Sequence, residues 1–306
     1  MDKSCGIIDC HTHVFKTITG LGSQGDLRAI GGGRARWPNG KEIQVMADKS
    51  DDFSYDKLIR LMDEEGISGA IILQGPLLGF NNEYVYEAQS AYPGRLFGMG
   101  IFDPYALYAG DIMRRLYEDL HFRGFKFEVS ESVGLMGYHP DFELDGPFML
   151  PVWEYCNKQQ MVVSIDMGTF SERSMQIDRL VKVAKEYPHI RIVVEHLFFP
   201  HRDHYAEVEE ALHKLASCNN VWFTLAALAN SVMPEEYPYP SAVRYIALAK
   251  KIVGSGRLLW GSDIPLVLNG ADYRKLRLYV ADSGVFTDTE LEAVYGKNAR
   301  QVYSLP

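Results

Sequence analysis

Two histidines one residue apart close an apolar run near the N-terminus, in the sequence Ile7-Ile8-Asp9-Cys10-His11-Thr12-His13. If this run is a β-strand, the side chains at alternate positions point the same way, with Cα atoms roughly 6.5–7 Å apart. His11 and His13 could then hold one metal ion, and neutral imidazole suits zinc, iron, nickel or copper, and manganese more weakly. Because a His-x-His at a strand end also arises by chance, its meaning depends on the rest of the chain.

Composition limits the classes of protein that this chain can belong to. Its 306 residues are 47% hydrophobic, which suits one large α/β domain over residues 1–306. No long apolar stretch predicts a membrane span, and the net charge of −9 without a dense Lys/Arg run argues against a nucleic-acid partner. The N-terminal residues lack the layout of a secretory signal. The widely spaced Cys5, Cys10, Cys156 and Cys218 predict reduced, mostly buried thiols in a cytoplasmic protein.

Eight apolar, β-rich runs alternate with helical stretches along the chain. They cover residues 6–10, 69–73, 96–102, 124–129, 161–166, 190–196, 221–225 and 257–261. Near-continuous apolar runs favour strands buried on both faces of a parallel sheet. Eight strand–helix units predict an α/β fold, specifically a (β/α)8 TIM barrel. Long loops over residues 14–53 and 130–147, after strands one and four, would lie at its catalytic end.

Few polar residues end these strands. In chain order they are His11, His13, Lys126, Glu128, Asp166, Glu195, His196 and Asp263. A single residue of this kind is most often a helix cap, a turn former or a satisfied side chain. However, the C-terminal strand ends of a barrel share one ring, and several histidines and aspartates at one level would repel each other without a cation. The set therefore predicts a functional cluster.

These motifs resemble those of the amidohydrolase superfamily. The similar features are the His-x-His after strand one, His196 after strand six and Gly261-Ser262-Asp263-Ile264-Pro265 after strand eight. The terminal Gly296-Lys297-Asn298-Ala299-Arg300 is similar to the Gly-Asn-Ala-x-Arg ending common in that group. The resemblance spans the chain and is closest to the amidohydrolase-related branch, which includes aminocarboxymuconate-semialdehyde decarboxylase. It implies a barrel with a site for one divalent metal ion.

The resemblance also implies roles for individual residues. His11 and His13 would be metal ligands, and Asp263 would be a ligand or the base that takes a proton from water. His196 would polarise the substrate or activate the water. Where the family usually has a histidine ligand after strand five, this chain has Asp166. A carboxylate still binds zinc or manganese, and its charge favours manganese more than a histidine would.

Five further residues are candidates for substrate binding. Lys126 and Glu128 lie at alternate positions of strand four, so either could contact the substrate, although an ion pair between them is also expected. Arg34 and Arg36 lie in the glycine-rich segment after strand one, and an arginine fork binds a carboxylate in bidentate fashion. They could equally be solvated loop residues. His201 follows strand six and could form the rim of the pocket or begin a helix.

Three functions fit this set of residues. The first is a metal-dependent hydrolase that uses metal-activated water on a small, carboxylate-bearing lactone, ester or amide. The second is a non-oxidative decarboxylase or lyase of an aromatic or unsaturated acid, which would use the same site. The third is a catalytically inactive barrel, a hypothesis motivated by Asp166. Barrels of the related branch are often dimers, so the resemblance suggests a homodimer.

Overall fold

The structure, a computed structural model, describes residues 6–306, so Cys5 lies outside the described residues. Its strands are β1 (Ile7–Thr12), β2 (Thr19–Gly22), β3 (Gly25–Gly31), β4 (Arg34–Arg36), β5 (Glu42–Gln44), β6 (Ile67–Ile72), β7 (Leu96–Gly98), β8 (Gly124–Glu128), β9 (Val162–Asp166), β10 (Arg191–Val194), β11 (Val221–Thr224) and β12 (Leu258–Leu259). Strand β1 and strands β6 to β12 coincide with the eight runs predicted from the sequence.

These eight strands are parallel and form a barrel. One sheet has the order β1-β6-β7, and the other has the order β12-β11-β10-β9-β8. Parallel bridges join the two sheets at both edges, one from Gly100 to Phe125 and one from Thr12 to Ile264. The Asp263 amide also donates to the His11 carbonyl oxygen at 2.8 Å. The predicted (β/α)8 fold is therefore confirmed, and the segment after β12 lies directly against the end of β1.

Helices follow most of the barrel strands. They are α1 (Tyr55–Glu64), α2 (Asn82–Ala91), α3 (Ala109–Arg114), α4 (Leu135–Tyr138), α5 (Leu150–Gln159), α6 (Ile177–Glu186), α7 (Tyr205–Ala216), α8 (Leu228–Ser231), α9 (Pro240–Val253), α10 (Tyr273–Asp282), α11 (Asp288–Glu292) and α12 (Asn298–Tyr303). Helix α11 starts with a capping box between Thr287 and Glu290. Within residues 6–306, no helix is long and apolar enough to cross a membrane.

The segment between β1 and α1 differs from the predicted loop, because it contains an antiparallel sheet in the order β2-β3-β4-β5. Gly32 and Gly33, with φ of +68° and +70°, form the tight turn between β3 and β4 that favours glycine. On β4, Ala35 is buried between two exposed arginines, as expected for a strand with one solvated face. The glycine content indicated a loop, whereas it supplies the turns of a small sheet.

This small sheet packs against two turns at the C-terminal end of the barrel. The backbone of Gly20 on β2 touches the turn at Leu77, where a Cβ on Gly20 would lie 2.0 Å from the carbonyl oxygen. The Ser23 amide donates to the Ser132 carbonyl oxygen at 3.0 Å, in the connection after β8. The sheet therefore supports the connections that follow the second and fourth barrel strands.

The cysteines of the described chain are buried thiols. Cys10 points into the barrel interior below the histidines, and Cys156 and Cys218 pack in the outer core. None of these three forms a disulfide. They match the prediction of separate, buried thiols.

Candidate active site

A cavity of about 300 Å³ opens at the C-terminal ends of the barrel strands. This is the end where the loops of such barrels meet. Most of the residues predicted from the sequence line it, namely His11, His13, Lys126, Glu128, Asp166, His196, His201 and Asp263. The cavity wall also contains apolar side chains, among them Leu77, Leu78 and Leu266. The barrel therefore brings eight of the predicted site residues to one place.

Arg34 and Arg36 do not line this cavity. They lie on the exposed face of β4, and both pair with Glu42 on β5, at 3.1 and 2.7 Å respectively. The pleat of the strand turns Ala35 inward and both guanidinium groups outward. This placement matches the solvated alternative and does not favour the predicted role in binding a substrate carboxylate.

The two histidines at the end of β1, His11 within the strand and His13 directly after it, are oriented by bonds at their Nδ1 atoms. His13 Nδ1 donates to the Leu73 carbonyl oxygen at 2.7 Å, and His11 Nδ1 lies 2.7 Å from Glu195 Oε2. Both Nε2 atoms consequently face Asp263, whose Oδ1 is 2.9 Å from His13 Nε2 and 3.5 Å from His11 Nε2. An acceptor at the far nitrogen is the usual way in which proteins orient a metal-binding imidazole.

This arrangement fits a divalent metal ion. Ligand atoms of His11, His13 and Asp263 all lie within 4.8 Å of one another. His11 Nε2 is buried and has no hydrogen-bond partner within the described chain, which is costly unless a cation takes its lone pair. Two imidazole nitrogens and one carboxylate oxygen are a donor set that zinc and manganese accept. The residues therefore fit the predicted cofactor.

Glu195 is a site residue to which the sequence interpretation assigned no role. Its side chain is buried at the end of β10, and it accepts hydrogen bonds from Ser164 Oγ and, at 2.7 Å, from Thr224 Oγ1. Glu195, His11 and His196 also form a group whose ligand atoms lie within 4.8 Å of one another. Because His11 Nδ1 is already bonded to Glu195, we interpret this carboxylate as the group that orients His11. The available signal was a glutamate at the end of an apolar strand, directly before His196.

Asp9 is a second residue without a predicted role. It is fully buried and accepts from the His11 amide at 3.1 Å, the Ser262 hydroxyl at 2.6 Å and the Tyr273 hydroxyl at 2.8 Å. The Ser262 amide donates to it as well, at 2.9 Å. Burial raises the pKa of Asp9 to about 6, against the effect of these donors. Asp9 thereby ties the strand that carries the histidines to the segment that carries Asp263.

A second polar group lies beside the histidines, on β8, β9 and the turn after β10. His196 Nε2 is 3.2 Å from Asp166 Oδ2, and His196 Nδ1 is 3.2 Å from the Ala226 carbonyl oxygen. Lys126 Nζ donates to Glu128 Oε2 at 3.1 Å. Glu128 and Asp166 face each other in the β8–β9 register. Asp166 thus contacts His196 and is in neither group of described residues that could share an ion.

Burial and neighbouring charges shift the pKa values of these groups. Burial, together with His196 and Lys126, places the pKa of His11 well below its usual value. Burial would also lower the pKa of His196, but nearby carboxylates, Asp166 first, raise it to about 9. Burial and the charge of Asp166 raise the pKa of Glu128 to about 8. Burial opposes ionisation of Asp166, but His196 and Lys126 hold its pKa below the usual range. Asp166 and His196 therefore each favour the ionised form of the other.

Residues 8–305 match the amidohydrolase family. The chain belongs to the amidohydrolase family. The resemblance inferred from the His-x-His and Gly-Ser-Asp-x-Pro motifs is thereby confirmed. A search of curated proteins found no match.

Solved structures show the same fold in other amidohydrolases and related proteins. An amidohydrolase from Burkholderia multivorans superimposes with a TM-score of 0.75 at 18% identity, over 98% of this chain and 99% of that chain. Its zinc-bound crystal form gives a TM-score of 0.72 at 19% identity, over the same shares of the two chains, 98% and 99%.

Two other similar structures carry names that describe reactions. A protein from Acinetobacter baumannii, named as a probable 2-pyrone-4,6-dicarboxylic acid hydrolase, has a TM-score of 0.70 at 16% identity over 98% of this chain and 99% of that chain. The 2,6-dihydroxybenzoate decarboxylase from Rhizobium has a TM-score of 0.60 at 16% identity over 82% and 88%. At these identities the likeness shows the fold alone. Proteins with this fold include one named as a probable hydrolase and one named as a decarboxylase.

Proposed function

We propose that this amidohydrolase is a metal-dependent hydrolase of a small, carboxylate-bearing lactone, ester or amide. The observation that carries the proposal is the convergence of His11 Nε2, His13 Nε2 and Asp263 Oδ1 in one cavity. The name of the Acinetobacter baumannii protein, which has the same fold, supports the hydrolase class. The bound zinc in the Burkholderia multivorans amidohydrolase supports a divalent cofactor, zinc or manganese.

The side chains at the end of the barrel have separate roles in this proposal. His11, His13 and Asp263 would hold the ion, which would supply hydroxide from water at neutral pH. Asp263 accepts the proton of the attacking water and passes it to the leaving group. Both ring nitrogens of His196 have partners within the protein, so this side chain would polarise the carbonyl group of the substrate through the positive charge of its imidazole. Its ring centroid lies 4.5 Å from that of His11.

The rest of the cavity suits a small organic acid derivative. Lys126 is the one lysine or arginine among the described residues that line it, so it is the candidate to bind the carboxylate, with Glu128 beside it. His201 lies at the exposed edge and could close over the substrate. A volume of about 300 Å³ is at the lower end of the range for small-molecule sites.

Decarboxylation is the second candidate. The Rhizobium 2,6-dihydroxybenzoate decarboxylase has the same fold, and a metal ion that binds a substrate oxygen also stabilises the charge left when carbon dioxide departs. Carbon dioxide release from a panel of hydroxybenzoates, compared with acid release from a panel of lactones and esters, would separate the two reactions. An inactive barrel would give neither product.

The test uses protein purified without chelator. We expect about one equivalent of metal per chain and loss of turnover after chelation, with recovery on adding zinc or manganese. The double variant His11→Ala/His13→Ala should lose both metal and turnover while its circular dichroism is unchanged. The matched control is Arg34→Ala/Arg36→Ala, which removes two basic side chains outside the cavity. Turnover that persists in the histidine double variant would contradict the metal mechanism.

A further inference from the structure

Asp166 occupies the position where a histidine ligand is usual, but its carboxylate is already bonded on both sides. Oδ1 accepts from the Gly168 amide at 3.0 Å, and Oδ2 lies 3.2 Å from His196 Nε2. Both side chains are almost completely buried. Two groups of possible ligands occur in residues 6–306, one of His11, His13 and Asp263 and one of His11, Glu195 and His196. Neither group contains Asp166.

His196 needs this support because its backbone is strained. Its φ is +56°, and Leu197, Phe198 and Phe199 follow with φ of +47°, +72° and +45°. Four consecutive residues with side chains in the left-handed region cost free energy, so such a turn persists only where its surroundings fix it. Strain of this kind concentrates at sites where a side chain must be held in one place.

Three contacts hold the residue on this turn. The His196 amide donates to Thr224 Oγ1 at 2.9 Å, and Nδ1 donates to the Ala226 carbonyl oxygen, which can only accept, at 3.2 Å. The third contact, from Nε2 to Asp166, is on the cavity side of the ring, since both residues line the cavity. Asp166 is therefore the group that orients the His196 ring within the cavity.

We infer that Asp166 is a positioning residue for His196 and does not bind the metal ion. This inference rests on the proposed function, because it gives His196 a task at the same site. The metal ion would then be held by His11, His13 and Asp263, and three protein ligands are usual in catalytic centres. Where the family usually has a histidine ligand, this chain therefore has a carboxylate that orients His196.

The test compares the metal-loaded wild type with Asp166→Asn, an isosteric change, and with Asp166→Ser in case the first variant folds poorly. His13→Ala serves as the ligand-loss reference, and Asp26→Asn, an exposed carboxylate on the small sheet, is the matched control. We expect Asp166→Asn to keep one equivalent of zinc with a Kd within about threefold of wild type, below the effect of disturbing a metal ligand. The visible spectrum of the cobalt-loaded protein should also stay unchanged.

Kinetics and NMR supply the second half of the test. In Asp166→Asn, kcat should fall about 10²-fold with a small change in KM, and the double variant Asp166→Asn/His196→Asn should be no slower than the slower single variant. The imidazole 15N signals of His196, assigned by their loss in His196→Asn, should shift in Asp166→Asn.

The possible outcomes separate two failures. A loss of zinc from Asp166→Asn, or additive losses in the double variant, would overturn the positioning role. Unchanged His196 signals would overturn it as well. Failure of the proposed function looks different, because the wild type itself would then bind no metal or hydrolyse nothing, while the NMR comparison would still decide whether Asp166 holds His196.

Discussion

The direction of two imidazole rings is the residue-scale feature on which this site depends. His11 and His13 could each present either nitrogen to the cavity. Nδ1 of His11 bonds to the Glu195 carboxylate, and Nδ1 of His13 donates to the Leu73 carbonyl oxygen. Both Nε2 atoms therefore face Asp263. Asp263 has a φ of +74°, a conformation that aspartate tolerates better than most residues. The geometry of the proposed metal site is thus fixed by partners outside it.

Replacing Glu195 with glutamine tests this dependence. The amide would remove the charged acceptor of His11 Nδ1 while keeping the shape of the buried side chain. We expect metal affinity to fall by about 10- to 100-fold, the usual effect of disturbing a partner of a metal-binding histidine. Competition against a chromogenic chelator measures it, with Glu42→Gln, an exposed carboxylate, as the control. An affinity equal to that of the control would show that Glu195 does not orient His11.

Replacing Asp263 with asparagine separates binding from proton transfer. The amide oxygen can still face the ion, but it cannot accept the proton of the attacking water. We expect most of the metal to remain and kcat to fall by at least about 10²-fold, the typical share of a general base. Metal analysis and steady-state kinetics on the same preparation measure both. A rate near that of the wild type would remove Asp263 from the role of base.

At the scale of elements, the small antiparallel sheet supports the wall of the candidate active site. Its first strand, β2, touches the turn that contains Leu77, and Ser23, directly after β2, donates a hydrogen bond to Ser132. Leu77 and Ser132 both line the cavity. A sheet is more rigid than the loop that the glycines suggested, because its backbone groups are paired. The segment therefore supports the cavity from behind, and its arginines face solvent.

Gly20→Ala tests this support. The added Cβ would lie 2.0 Å from the Leu77 carbonyl oxygen, so the turn behind the cavity has to move. We expect a stability loss of about 1–3 kcal/mol, as for other overpacked sites. We also expect kcat/KM to fall by up to about 10²-fold, because a displacement of about 1 Å misplaces the substrate. The control is Gly256→Ala, where a Cβ meets nothing within 4 Å. Equal behaviour of the two variants would show that the sheet does not shape the cavity.

At the scale of the whole molecule, the site depends on closure of the barrel. His11 and Asp263 are far apart in the chain and meet only because the segment after β12 returns to the edge of β1. Asp9 lies at this junction. It accepts hydrogen bonds from His11 on one side of the junction and from Ser262 and Tyr273 on the other. Stability and site geometry are therefore coupled at this one buried carboxylate.

Asp9→Ala should consequently destabilise the protein strongly. It would leave several buried donors without an acceptor, and each such group costs about 1–3 kcal/mol. We expect the free energy of unfolding, measured by urea denaturation, to fall by at least about 3 kcal/mol. Tyr273→Phe removes one of the same hydrogen bonds and should cost about 1 kcal/mol. If Asp9→Ala cost no more than Tyr273→Phe, the carboxylate would not hold the junction.

The barrel and the ring of polar residues at its C-terminal end could be predicted from the order of residues in the chain. Strand order follows from eight apolar runs that alternate with helices, and the C-terminal ends of parallel strands must share one end of a barrel. His11, His196 and Asp263 could therefore be brought together from their positions in the runs. The family match over residues 8–305 agrees with that reasoning.

Which of these groups bond to each other could be read from the folded chain but not from the sequence. The side chain of Asp166 contacts His196, and that of Glu195 contacts His11. Arg36 points away from the cavity and pairs with Glu42. A pattern of apolar and polar residues predicts at which end of a strand a side chain lies and which other side chains lie on the same face of that strand. It does not record the rotation of strands far apart in the chain or the rotamers that bring two particular atoms within hydrogen-bond distance, because those follow from packing across the whole barrel.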